Sequence, residues 1–234
     1  RIVYYLEKAR PFACSVEQQV VLDRLVSYYE TGDLHTFDQY TIAWVENTDP
    51  LVDFVNGFTE SYGDPLGMKA SWESIVNFKD LAATERTKKL SENAQWFEDN
   101  SPVDNRFKKE ECKGISAKVI TAAILGGDLY PSTAIGINLP NSDWVRRDHG
   151  SKSVTIGNLT AAYAKASQGS GMDKEFIIDN ATRKLIETYG QVCDDLHTDL
   201  HECLGHGSGR LLDGVSGDTL KAYSSTIEEA RADL

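Results

Sequence analysis

His201-Glu202-Cys203-Leu204-Gly205-His206 reads H-E-x-x-G-H. It is one residue longer than the H-E-x-x-H pattern, in which two imidazoles on one helix face hold Zn²⁺ and the Glu between them acts as general base. On a regular α-helix, residues four apart lie about 40° apart around the axis, and residues five apart about 140°. His201 and His206 can share one metal only if the helix is locally re-aligned, and a one-residue bulge of the π type does this. The spacing therefore predicts a distortion over Cys203 to Gly205, with Gly205 the residue most tolerant of it. The alternative is a chance match on an ordinary amphipathic helix.

Downstream, Glu228-Glu229-Ala230-Arg231-Ala232-Asp233 offers a cluster of carboxylates. Glu229 is the expected carboxylate ligand beside His201 and His206. Glu228 and Asp233 are expected to accept hydrogen bonds from the ligand imidazoles. Asp233 lies four residues after Glu229 and so shares its helix face. Read alone, the cluster is a solvated acidic face with Arg231 as its internal partner; it is the pairing with H-E-x-x-G-H that favours ligation. Glu202 is the expected general base, taking a proton from metal-activated water and passing it to the leaving amine. His197, four residues before His201, reads as a polar helix-face residue rather than a third imidazole ligand. One Zn²⁺ per chain follows from this set.

The 234 residues suffice for one large domain or two small ones. Hydrophobic content of 41% and charged content of 26% are ordinary for a globular chain. A net charge of −12 argues against nonspecific nucleic-acid binding. No apolar run approaches the ~20 residues that span a bilayer. The opening Arg1-Ile2-Val3 and the closing Ala232-Asp233-Leu234 both read as cut ends, so a fragment of a longer protein is expected. Cys14, Cys112, Cys193 and Cys203 lack paired-ligand spacing, which suits free thiols in a reducing, cytoplasmic setting. Cys203, inside the motif, reads as a packing residue.

Ser15-Val16-Glu17-Gln18 is a capping-box pattern, and Val20, Leu22, Leu25, Val26 and Tyr29 follow at helical spacing until Gly32. Tyr40, Ile42, Trp44 and Glu46 hint at a short strand. Leu51 to Phe58 reads as a strand, and Gly63-Asp64-Pro65-Leu66-Gly67 as a turn. Ile75, Phe78, Leu81, Ala82, Leu90, Ala94 and Phe97 suggest helix over 72–98. Ser101-Pro102 predicts a second helix reaching about Cys112. Strands and turns are expected over 115–139, and a loop at Gln168-Gly169-Ser170-Gly171. From Asp173 the pattern is helical: Leu185, Tyr189, Val192, Leu196, Leu200 and Cys203 form one stripe expected to be buried. Gly207-Ser208-Gly209 ends that helix, and another begins near Thr219.

Together, H-E-x-x-G-H and E-E-x-R-A-D resemble the dipeptidyl peptidase III family of zinc exopeptidases. Gly57-Phe58-Thr59-Glu60-Ser61-Tyr62-Gly63-Asp64-Pro65-Leu66-Gly67 is similar to that family's E-x-Y-x-D-P-x-G segment. Gly136-Ile137-Asn138-Leu139-Pro140-Asn141 is similar to its G-I-N-x-P-N segment. Trp44, 16 residues before Glu60, falls where the family has a cleft Trp. The resemblance implies that Glu60, Asn138 and Asn141 hold a substrate's N-terminal ammonium and first backbone groups. It implies that Tyr62 stabilises the tetrahedral oxyanion, and that Glu73 and Trp44 line the cleft. Read as residues only, Glu60, Tyr62 and the two Asn are also ordinary turn residues.

The implied fold is α+β and two-lobed, with a helix-rich zinc lobe and a mixed α/β substrate-cleft lobe. Residues 1–82 and 122–168 belong to the mixed lobe, and 83–121 and 169–234 to the zinc lobe. The implied reaction is zinc-dependent release of N-terminal dipeptides from short peptides with a free N-terminus, without nucleic-acid or membrane partners. The family's further substrate-binding residues, a His and basic side chains, follow E-E-x-R-A-D and lie beyond Leu234. A zinc endopeptidase or amidase sharing only the metal motifs is one alternative. A noncatalytic peptide-binding module is the other.

Overall fold

A computed structural model describes residues 1–60, 64, 66–68, 70–112, 115–131, 134–215 and 217–234, with side chains described for all of these except 115–117, 143, 203, 217 and 218. The first half holds α1 (Ile2–Ala9), α2 (Val16–Thr31), α3 (Leu34–Glu46), β1 (Val52–Glu60), β2 (Ser71–Lys79), α4 (Leu81–Glu92) and α5 (Ala94–Asn100). The second holds β3 (Ile115–Gly127), β4 (Gly136–Leu139), α6 (Asp143–His149), β5 (Ser151–Ile156), α7 (Gly157–Ser167), α8 (Met172–Phe176), α9 (Asn180–Leu200) and α10 (Ser224–Ala232). The strands form one mixed sheet in the order β1-β2-β3-β5-β4.

The chain divides into two compact units. The first comprises Arg1–Lys79, Ala123–Ser132 and Asn138–Lys152. Its core joins Val21, Leu22 and Leu25 of α2 to Tyr40, Trp44 and Val45 of α3, with Val55 and Ile75 from the hairpin. The Ser15 side chain accepts the Gln18 N–H at the start of α2, and Gly32 closes the helix in the left-handed region at φ 70°. Lys152, 2% exposed, lies 3.0 Å from Asp53 and 4.3 Å from the Trp44 ring centroid. That pairing gives a buried cation both an anion and a π face.

Two expectations about this unit fail. Residues 34–46 are helix, not strand: the Asp33 side chain caps the His35 N–H, and Tyr40, Thr41, Trp44 and Val45 share one buried helical face. Residues 71–79 are strand, not helix. Burial alternates strictly through Ser71, Glu73, Ile75 and Asn77, and three of those inward residues are polar, so apolar counting misses the face. The β1–β2 hairpin pairs Val52 with Phe78 and Gly57 with Glu73, and its register slips between Phe58 and Glu60.

The second unit comprises Asp80–Ala122, Thr133–Ile137 and Ser153–Leu234. It takes in 153–168, which the resemblance assigned to the mixed lobe. Asn158 exchanges hydrogen bonds of 3.0 Å with both backbone groups of Ala122, tying the start of α7 to β3. Ser101-Pro102 does not open a helix. Ser101 follows α5, and only a short 3₁₀ turn occurs at Asn105–Phe107. Buried Glu98 holds this stretch, accepting the N–H groups of Lys109 and Gly209.

Helix α9 has the predicted periodicity but not the predicted burial. Leu185, Tyr189, Val192 and Leu196 are 37–58% exposed. Only its last turn is packed, with Leu200 and Leu204 against Ala94, Leu90 and Phe97. Periodicity defines a face; it does not say what covers it. Asp199, fully buried, anchors the same turn by accepting from Arg86 at 2.7 Å and from the Thr155 hydroxyl at 3.4 Å.

Candidate metal centre

At the end of α9 the backbone widens into a π turn over His201–Gly205. The His206 N–H donates to the His201 carbonyl, five residues back, at 3.0 Å. The extra residue of H-E-x-x-G-H is absorbed there, and the two imidazoles come face to edge with ring centroids 4.6 Å apart. Gly205 has a second reason to be glycine. A Cβ on it would lie 2.1 Å from the Ala232 carbonyl oxygen, so α10 crosses the turn at backbone contact.

That crossing delivers the acidic cluster. Glu229 Oε2 stands 3.2 Å from His201 Nε2 and 3.9 Å from His206 Nε2. Donors bound to Zn²⁺ at about 2.0–2.2 Å in a tetrahedron stand about 3.3–3.5 Å from one another, which these separations bracket. The other ring nitrogens are engaged: His201 Nδ1 lies 2.8 Å from Asp233, and His206 Nδ1 lies 3.0 Å from Glu228. A proton donated from each Nδ1 to its carboxylate leaves a lone pair on each Nε2, the tautomer that a metal requires.

Arg231 binds Glu228 through both carboxylate oxygens and also donates to Ser208. Burial pushes the Glu228 carboxyl up, but the bonds to His206 and Arg231 outweigh it and hold the group at about 2. The Glu228 bond in turn raises His206. Asp233 is held below the usual carboxylate range by its bonds to His201 and His197.

Glu202 projects beside the two imidazoles, within a group of donor atoms all under 4.8 Å apart. Burial raises its carboxyl, against the opposing pull of His206 and His201. Two residues far away in sequence lie against Glu202. The Ser153 hydroxyl donates to its backbone carbonyl at 3.0 Å, and a Cβ on Gly136 would lie 2.3 Å from its Oε1.

The first unit brings together most of the remaining expected residues. Asn141 Nδ2 donates to Glu60 Oε2 and to the Thr59 carbonyl, both at 2.9 Å. Arg146 donates to both the side-chain and main-chain oxygens of Asn138. Burial raises Glu60, opposed by Asn141 and Arg146. Glu73, 5% exposed, accepts from the Thr59 hydroxyl, and burial pushes it up to about 7. Trp44, Phe37, Tyr40, Phe58 and Leu139 line a cavity of about 250 Å³ beside Asn141. Tyr62 lies outside the described residues.

Comparison with known proteins adds to this geometry. The model of the family described as "Peptidase family M49" matches residues 1–233. The chain belongs to peptidase family M49. Dipeptidyl peptidase 3 of Dictyostelium discoideum is 30% identical to this M49 chain over 216 residues, 90% of this chain but 29% of that protein. The structure of DPP III from Caldithrix abyssi matches with a TM-score of 0.80 at 26% identity, covering 99% of this chain and 44% of that one. DPP III from Corallococcus sp. strain EGB gives 0.81 at 25% identity, with 99% and 43% covered. The M49 chain thus spans under a third of the curated relative and under half of these structures.

The residues that sequence reading missed in this M49 chain are Gly136, Ser153, Arg146 and the bridging role of Arg231. Arg231 carried a signal, since it sits inside the acidic motif. Gly136 lies inside the G-I-N-x-P-N segment, but nothing in that segment ties it to Glu202; Ser153 acts across 49 residues, and Arg146 reaches Asn138 across eight with no motif to mark the pair.

Proposed function

We propose that this chain is the catalytic segment of a zinc-dependent exopeptidase that releases dipeptides from the free N-termini of short peptides. The observation that carries the reading is the convergence of His201 Nε2, His206 Nε2 and Glu229 Oε2, with both Nδ1 atoms committed to carboxylates and Glu202 alongside. His201, His206 and Glu229 would hold one Zn²⁺. When bound, the metal supplies a Lewis acid that makes water a nucleophile near neutral pH. Glu202 accepts the proton of the attacking water and returns it to the leaving amine. Asp233 and Glu228 fix the tautomer and direction of the two imidazoles.

Glu60 is the anionic partner for the substrate ammonium, and Asn141 and Asn138 orient its first backbone groups. Tyr62 serves the oxyanion, and Glu73 and Trp44 shape the surroundings. In this reading the zinc chemistry belongs to the helical lobe and the amine anchor to the mixed α/β lobe. The names of the relatives support dipeptide release. The proposal includes a cytoplasmic site of action, with free Cys14, Cys112 and Cys193, and no nucleic-acid partner. It includes no membrane partner either; no helix among the described residues is long and apolar enough to cross a membrane.

The test uses the full-length polypeptide that carries this chain. Hydrolysis of a dipeptidyl-naphthylamide should stop with chelator and return with zinc. Acetylating the N-terminus of a good tetrapeptide substrate should abolish its cleavage, because the half-buried Glu60 is then left without its ammonium. Cleavage of the acetylated peptide at the same bond would overturn the amine anchor and favour an endopeptidase.

A further inference from the structure

One turn before His201 on α9, His197 turns its ring toward the same carboxylate. His197 Nε2 lies 3.0 Å and His201 Nδ1 2.8 Å from one oxygen of Asp233. Donor atoms of His197, His201 and Asp233 all fall within 4.8 Å of one another. This grouping lies on the Nδ1 edge of the His201 ring, whereas Glu229 is met by its Nε2. Imidazole nitrogens with a carboxylate oxygen at this spacing suit a borderline divalent metal of the zinc class and not a hard cation such as Mg²⁺.

Once Nε2 of His201 holds a metal, its Nδ1 keeps a proton and is a poor second ligand. His197 Nε2 and the Asp233 carboxylate remain. Both are solvent-accessible, with side chains 70% and 53% exposed, so water can complete a coordination sphere. Two protein ligands make a weaker site than three. The proposed peptidase chemistry does not use His197.

We propose that His197 and Asp233 form a second, weaker site for a zinc-class divalent metal behind His201, and that filling it draws Asp233 away from His201. Loss of such a supporting bond lowers affinity at the first site, typically about 10–100-fold. Linkage makes the effect reciprocal, so each metal weakens the other's binding by the same factor.

The test is a calorimetric titration of the metal-free full-length polypeptide with ZnCl₂, run beside His197→Gln and Glu229→Ala. The parent should show a tight event and a separate weaker one. His197→Gln, which keeps an N–H donor for Asp233 at an exposed position, should retain the tight event and lose the weaker one. Glu229→Ala should weaken the tight event and keep the other, tightened by up to the same factor because the first metal no longer opposes it. That pair of variants separates failure of the second site from failure of the first. A single event in the parent, a weaker event unchanged in His197→Gln, or loss of the tight event in that variant would overturn the proposal. In the last case His197 would be a ligand of the first site.

Discussion

Replacing Gly205 with Ala tests whether the metal centre depends on backbone contact between the π turn and α10. The added Cβ would lie 2.1 Å from the Ala232 carbonyl oxygen and 2.8 Å from its C and Cα atoms. An ordinary carbon–oxygen contact is about 3.3 Å, so the shortfall is roughly 1.2 Å. The obstacle is main chain and cannot rotate aside. The turn and α10 must separate by about 1 Å, and α10 carries Glu228 and Glu229, with Asp233 as its C-cap. Metal–ligand distances tolerate only about ±0.2 Å. Overpacking should destabilise the fold by roughly 1–3 kcal/mol. Zinc affinity should fall at least 10–100-fold, or about 1.4–2.8 kcal/mol. Competition against a chromophoric chelator measures the affinity, and thermal unfolding with and without zinc measures the linked stability. Gly190→Ala, on the same α9, is the control. Its Cβ would meet the Ile186 Cγ2 methyl at 3.3 Å and no main chain of another element, so zinc binding should not change. An affinity within twofold of the parent for Gly205→Ala would refute the reasoning.

Glu229→Ala should lose most bound zinc by elemental analysis, whereas Glu202→Ala should keep it and lose about 10²–10⁴ in kcat; normal turnover in the Glu202 variant would sink the mechanism. Gly136→Ala should displace the Glu202 carboxylate, lowering kcat with metal content unchanged, and an unaltered kcat would show that the contact is idle. Glu73 titrates near 7 against an ordinary carboxyl near 4.5, so the folded state holds an extra proton between those values. Its contribution to stability is complete below about 4.5 and is lost as pH rises through about 7. Glu73→Gln should therefore gain on the parent between pH 5 and 8, by roughly 1–2 kcal/mol after allowance for solvent screening. Urea denaturation at a series of pH values checks this, and parallel curves for the two proteins would refute it.

The backbone of the candidate metal centre was legible in the sequence because its spacing is local. The five-residue spacing of the two His forces a bulge, and the structure has it at His201–Gly205. The glycine was legible for only part of its reason. Backbone tolerance could be read from the motif, but contact with Ala232 depends on a helix packed across it. In the fold, α2 announced itself through Ser15 and Gly32. The strand β2 was hidden because its inward face carries Ser71, Glu73 and Asn77 and its apolar residues fall by chance at helical intervals. Gly136 and Ser153 could not be tied to Glu202 by any spacing rule. They reach it through β4 and β5, elements whose neighbours only the folded chain defines.

The uncovered apolar stripe on α9 bears on how the chain behaves as a colloid. Leu185, Tyr189, Val192 and Leu196 form an adhesive strip on a body carrying a net charge of −12. At low ionic strength, like-charge repulsion holds such strips apart. Near 1 M salt the screening length shrinks to about 3 Å, less than the reach of a leucine side chain, and repulsion no longer opposes contact between copies. For these 234 residues taken alone, light scattering should therefore show association setting in as electrolyte is added.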